Sequence, residues 1–159
     1  DTIQSRGLGD VYKRQMFGHA ESDYDIIEHL QRIRDLQDTT KNFLSFIPWT
    51  FKPENTFMEN KISTEVGGDR YLRVLGLCRI FLDNFKYIQG SWFTQGFKVG
   101  GASLHYGAND VGGTLLQENV LKSANNPYKA GVDEIVHVIE SEGFLPIQRD
   151  TFYNTIKMY

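Results

Sequence analysis

Between Asp23 and Thr39 the apolar side chains Ile26, Ile27, Leu30, Ile33 and Leu36 recur three and four residues apart, which predicts an amphipathic helix with Ser22 as its N-cap. On either side of it the apolar residues run together instead. Met16 to His19 (MFGH) is a short apolar run ending in polar groups and reads as the end of a buried strand. Phe43 to Trp49 (FLSFIPW) is too short for a helix, is stopped by Pro48, and reads as a second buried strand. Pro53 and a run of charges make Thr50 to Gly68 a long loop, after which Asp69 caps a helix reaching about Asn84. Tyr87 to Ser91 is then a third strand, Gly96 to Tyr106 a shorter helix closed by Gly107, and Ala108 to Val111 a brief fourth strand. Further along, the pattern predicts a short helix from Leu115 to Ser123 and a break at Asn125, Asn126 and Pro127. A helix carried by Val132, Ile135, Val136 and Ile139 follows and ends at Gly143, and the tail is read as a strand from Leu145 to Gln148 and a terminal helix.

Buried strands alternating with helices predict parallel α/β units. They repeat at roughly 35 residues, a spacing that suits a (β/α) barrel, where function gathers just past the strand C-termini. His19 with Glu21, Trp49, Ser91 with Trp92, and Asn109 with Asp110 all fall at such positions. The first strand is followed by no glycine-rich dinucleotide fingerprint, which disfavours a Rossmann unit.

The 159 residues, 40% of them hydrophobic, are enough for one domain with a core. A net charge of −3 without a basic tract gives no reason to expect nucleic acid. No long apolar segment or signal-peptide pattern is present, so a cytoplasmic protein that does not insert in a membrane is expected. The single cysteine, Cys78, excludes an internal disulfide framework. It shares a helix face with Tyr71, Leu75 and Leu82 and reads as a buried structural thiol. His29, His105 and His137 lack metal-ligand spacing, and no metal ligands are assigned.

Gln89 to Thr114 (QGSWFTQGFKVGGASLHYGANDVGGT) holds seven glycines, a tryptophan, several amides and one acid in 26 residues. A packed core would be richer in Leu, Ile and Val. This run offers close backbone approach and neutral hydrogen-bonding heads beside an aromatic face, the composition of a ligand site.

The motifs SW-TQG (Ser91, Trp92, Thr94, Gln95, Gly96) and GANDVGGT-LQEN (Gly107 to Asn119), with MFGHAE (Met16 to Glu21), FIPWTFKPENT (Phe46 to Thr56) and QRDTFY (Gln148 to Tyr153), occur in a family's order and spacing. The chain resembles the radical S-adenosylmethionine (SAM) enzymes of the futalosine route to menaquinone, and among them the cyclic dehypoxanthine futalosine synthases. The resemblance implies the C-terminal half of a radical SAM (β/α) barrel over residues 16–159, an open half-barrel with terminal helices. It also implies a [4Fe–4S] cluster held by three cysteines in a part of the enzyme that this chain does not include, with SAM as co-substrate and an external electron donor. The fragment alone is then expected to be inactive. Asp1 to Gln15, whose RGLGDVYKRQ portion resembles translated adapter sequence, is set apart as a disordered, non-native lead-in.

In this family SAM cleavage yields a 5′-deoxyadenosyl radical, which takes hydrogen from the substrate ribose. The resulting carbon radical adds to the benzoate ring of dehypoxanthine futalosine, and loss of an electron and a proton gives the product. Such chemistry demands positioning and exclusion of water. Trp49 and Trp92 are the candidate walls of the substrate pocket, and Gln89, Ser91, Thr94, Gln95 and Asn109 the candidate partners of ribose hydroxyls. His19 and Asp110 are the candidate bases, with structural bonds as the alternative for each, and Lys98 and Arg149 could meet a carboxylate.

The sequence departs from the family pattern at Phe97, at Gln117 and over Ser123 to Gly131. Rival readings are aminofutalosine synthase, a deazaflavin-cofactor synthase subunit, and a cluster-free nucleoside-binding module.

Overall fold

The computed structural model describes residues 12–62, 65–114 and 131–159. Strand β1 (Tyr12–Phe17) leads through helix α1 (Asp23–Thr40) to β2 (Ser45–Thr50), and helix α2 (Gly68–Phe81) leads to the two-residue β3 (Tyr87–Ile88). All three strands are parallel, in the order β1-β2-β3. The expected fourth strand is present as one parallel bridge between Gln89 and Asp110, flanked by Asn109 N–H to Ile88 O at 3.0 Å and Gly90 N–H to Asp110 O at 2.8 Å. Two short helices, α3 (Trp92–Gln95) and α4 (Phe97–Ala102), and a 3-10 turn (Ser103–Tyr106) lie between β3 and that bridge. Helix α5 (Val132–Ser141) precedes an antiparallel hairpin of β4 (Ile147–Arg149) and β5 (Thr155–Met158).

Parity decides which residues face which way, because successive side chains of a strand alternate between faces. Phe17, Phe46 and Ile88 pack against Ile26, Leu30 and Ile33 of α1 and Tyr71, Val74, Leu75 and Cys78 of α2, all buried. Met16, Ile47, Trp49, Tyr87 and Gln89, with Asp110 in register beside Gln89, therefore share the opposite face. Helix α1 begins in a capping box, Ser22 with Asp25, as the Ser22 signal predicts. Cys78 is buried in the core, where loss of solvation pushes its thiol up to about 12.

Pro48 lies inside β2 instead of ending it. Phe46 O accepts from Gln89 N–H, so Phe46 and, two residues on, Pro48 turn their backbone polar groups toward β3. By then β3 has already ended at Ile88, so the N–H that proline lacks is not needed for pairing there.

Strand β1 also begins earlier than expected and takes in Tyr12–Gln15, which pair with Ser45–Pro48. The tail forms a hairpin where a terminal helix was expected. Too few residues remain after the turn to propagate a helix. The Asp150 carboxylate accepts from Phe152 N–H at 2.8 Å and Asn154 N–H at 2.9 Å, and Tyr153 sits at φ 65°, which fixes the reversal. The helix expected over Leu115 to Ser123 and the break at Asn125 to Pro127 lie outside the described residues. No helix among the described residues is long and apolar enough to cross a membrane.

Candidate active site

Just past β1 the chain turns at Gly18, where φ is 91° and a Cβ would come within 2.1 Å of Val66 Cγ2, so only glycine fits without rearrangement. The turn wraps its amides around one carboxylate. Glu21 accepts from Gly18 N–H, from His19 N–H at 3.0 Å and from Ala20 N–H at 3.2 Å. His19 Nδ1 lies 2.7 Å from Glu21 Oε2, and the imidazole packs against the Phe51 ring at 5.7 Å. Partial burial works against the Glu21 charge, but the Gly18 and His19 amides outweigh it and hold the carboxyl below its usual range.

Trp49 and Gln89 stand on the strand face turned away from α1 and α2. The Trp49 ring lies 5.3 Å from the Arg14 guanidinium, and its Nε1 is buried with no hydrogen-bond partner. Gln89, 6% exposed, carries its side-chain amide on the same face. Gly112, at φ 75°, packs directly on that amide, since a Cβ there would be 2.5 Å from Gln89 Nε2.

The SW-TQG side chains are placed differently from this pair. Ser91 N–H donates to the buried Tyr71 hydroxyl at 2.6 Å, and Ser91 Oγ and Thr94 Oγ1 bond each other at 3.1 Å. Trp92 is buried against Phe93 and stacked 5.0 Å from Phe97. That packing depends on Gly100, where a Cβ would be 2.6 Å from Trp92 Cβ. Gln95 Nε2 donates to Thr50 Oγ1 at 2.8 Å and Val66 O at 3.3 Å. These groups bind the strand-end loop to the sheet, leaving the buried Trp92 Nε1 unpartnered.

Asn109 and Asp110 are likewise engaged within the protein. Asn109 Oδ1 accepts from Ile88 N–H and Arg79 Nη2, and its Nδ2 donates to Lys86 O, each at 2.9 Å, standing in for the ladder a longer fourth strand would supply. Asp110 takes two bonds from Arg149, at 2.5 Å from Nη2 and 3.1 Å from Nε. It also accepts from the Tyr153 hydroxyl at 3.0 Å and from Gly112 N–H at 3.3 Å. The Arg149 guanidinium lies 3.8 Å from the Tyr153 ring, which stacks on Tyr87 at 3.6 Å. Burial alone would weaken the Arg149 charge, but Asp110 raises its proton affinity. Arg149 is thus a partner of Asp110, and Lys98 is exposed.

Sequence reasoning did not single out Tyr71, Tyr87 or Tyr153. Tyr71 showed only helical spacing, and the roles of Tyr87 and Tyr153 depend on the hairpin that brings them together.

A cavity of about 580 Å³ opens between the Asp110–Thr114 turn, α5 and the hairpin, lined among others by Tyr87, Val111, Ile135, Phe144 and Arg149. Of the candidate residues it brings together Asn109, Asp110 and Arg149 but not His19, Trp49 or Gln89. Among the described residues no group of three His, Cys, Asp or Glu side chains could hold a metal ion. With one buried cysteine, the described residues do not fit an iron–sulfur cluster.

Residues 40–159 match the family model described as "CofH/MqnC C-terminal region". The cyclic dehypoxanthine futalosine synthase of Streptomyces coelicolor is 41% identical over 98% of this chain and 39% of its own length. That of Halalkalibacterium halodurans is 40% identical over 91% of this chain and 38% of its own. The aminodeoxyfutalosine synthase of Thermus thermophilus is 34% identical over 91% of this chain and 40% of its own. The chain therefore spans about two fifths of the length of these relatives. Matched over most of its length, and carrying the strand-end motifs in order, the chain belongs to the CofH/MqnC C-terminal region family.

Proposed function

We propose that this chain is the C-terminal part of a radical SAM enzyme that cyclises dehypoxanthine futalosine in menaquinone biosynthesis, its parallel strands forming part of a (β/α) barrel. The observation that carries this reading is identity of 40–41% to two cyclic dehypoxanthine futalosine synthases, against 34% to an aminodeoxyfutalosine synthase. In the parent, a [4Fe–4S] cluster and SAM would supply the radical, and the cluster's ligands would come from outside this chain.

The residues present here shape and dry the radical's path. Trp49 and Gln89 present an indole N–H and an amide to the barrel interior, where a nucleoside's hydroxyls and ring edges could be their partners. Ser91, Thr94 and Gln95 hold the loop behind them, and buried Trp92 closes the site against water. The hairpin, pinned through Arg149 to Asp110, covers the same face beside Tyr87.

The test is product identity. The full-length parent, given dehypoxanthine futalosine, SAM and a reductant, should form the cyclised product together with 5′-deoxyadenosine, and this chain alone should form neither. Turnover of an aminodeoxyfutalosine synthase substrate in its place would sink the assignment.

A further inference from the structure

The strand-end motifs lie at the C-terminal ends of the parallel strands, and the tail hairpin reaches the opposite ends. Tyr12, Ser45 and Tyr87 are the first residues of β1, β2 and β3 and pair across the sheet. Tyr12 stands four residues before Met16 and Tyr87 two before Gln89, so both project from the face that carries Trp49. Two hairpin side chains converge on them. The Tyr153 ring stacks on Tyr87 at 3.6 Å and lies 6.2 Å from the Tyr12 ring. Arg149 donates to the Tyr12 hydroxyl at 3.2 Å and, through its other nitrogens, to Asp110 beside Gln89. The Tyr12 hydroxyl donates in turn to Thr151 O at 2.8 Å, in the hairpin turn.

The first, third and fourth strand positions are thus all tied to the hairpin on one face of the sheet. Tyr153 is fixed there by its hydroxyl, which donates to Asp110 at 3.0 Å, and by the Arg149 guanidinium 3.8 Å from its ring. Burial, and then the Asp110 charge, push that hydroxyl above its usual range, so it stays protonated as a neutral donor. Every residue of β5 is exposed. The hairpin therefore adds little to the core of the molecule, and what it inserts beneath the sheet is Arg149 and the Tyr153 ring.

We propose that the hairpin plugs the N-terminal mouth of the barrel interior, and that the Tyr153 ring keeps small reductants away from the substrate radical. This rests on the cyclase reading, in which the ribose carbon radical must reach the benzoate ring before it meets a hydrogen donor. A thiol entering from below would give its S–H hydrogen atom to that carbon. Uncyclised substrate and a thiyl radical would result, and two thiyl radicals would join as a disulfide.

The test uses the full-length parent with dehypoxanthine futalosine, SAM and a thiol-free one-electron reductant in deuterated water, with increasing amounts of a small thiol such as mercaptoethanol. In the wild type, and in Tyr153→Phe, which keeps the ring, the ratio of cyclised product to 5′-deoxyadenosine should not change with thiol. In Tyr153→Ala that ratio should fall severalfold as thiol is raised, and deuterium should appear on carbon in the recovered substrate. Tyr153→Leu opens the same gap if the alanine variant folds poorly.

A weakened fold alone would lower both products in parallel at every thiol concentration. That result would overturn the proposal, as would a wild type that is already sensitive to thiol. If the wild-type parent forms no cyclised product even without thiol, the cyclase reading fails and this inference falls with it, an outcome distinguishable from the other two.

Discussion

Replacing Asp110 by Ala is expected to lower the free energy of unfolding by about 3 kcal/mol, because it leaves a half-buried guanidinium without its counter-charge. The side chains are 11% and 21% exposed for Asp110 and Arg149, so water can replace little of what is lost. Three further contacts weaken with it: Tyr153 loses an acceptor, Gly112 N–H loses another, and the hairpin loses its attachment to the fourth strand position. Arg149→Met should cost a similar amount. The double variant Asp110→Leu with Arg149→Met should recover part of the loss, since neither charge is then stranded. Urea unfolding of the four proteins measures this. Single variants within about 0.5 kcal/mol of wild type would show that the pair does not hold the hairpin.

The second large effect should separate stability from activity. Gln89→Leu replaces a 6%-exposed amide, packed under Gly112, with an apolar side chain of similar size, so folding stability should fall by no more than about 1 kcal/mol. In the proposed parent, kcat/KM for dehypoxanthine futalosine should fall about a hundredfold, the loss expected when a site's hydrogen-bonding group meets a polar substrate and is replaced by an apolar one. Steady-state kinetics and a thermal melt on the same preparation decide it. Loss of stability with unchanged kcat/KM would make Gln89 a structural residue.

Much of the fold was legible because α1, α2 and α5 carry their apolar positions at helical spacing and β2 is a short apolar run. Gly107, read as a helix stop, adopts φ 100° at the end of the 3-10 turn. The tail was misread because its last residues are too few to show a period, and the reversal depends on Asp150 bonding to amides up to four residues ahead.

Candidate residues were located by strand-end logic, but sequence could not say which of them retain free valences. Asn109 and Gln89 are both amides near β3, yet one braces three backbone and side-chain groups and the other lies packed under the Gly112 turn. Asp110 read as a possible base because Arg149, its partner, lies 39 residues away in sequence. Glu21 stood in the motif MFGHAE without a role until the turn at Gly18 brought three amides and an imidazole onto it.

The claim on which the rest depends is that the strand face bearing Trp49 and Gln89 is a wall of the substrate site. A structure of the full-length parent with dehypoxanthine futalosine bound tests it most directly. The account predicts substrate oxygens or nitrogens within hydrogen-bonding distance of Gln89 Nε2 and Trp49 Nε1. A substrate seated instead in the cavity between α5 and the hairpin, or touching neither of these side chains, would contradict it.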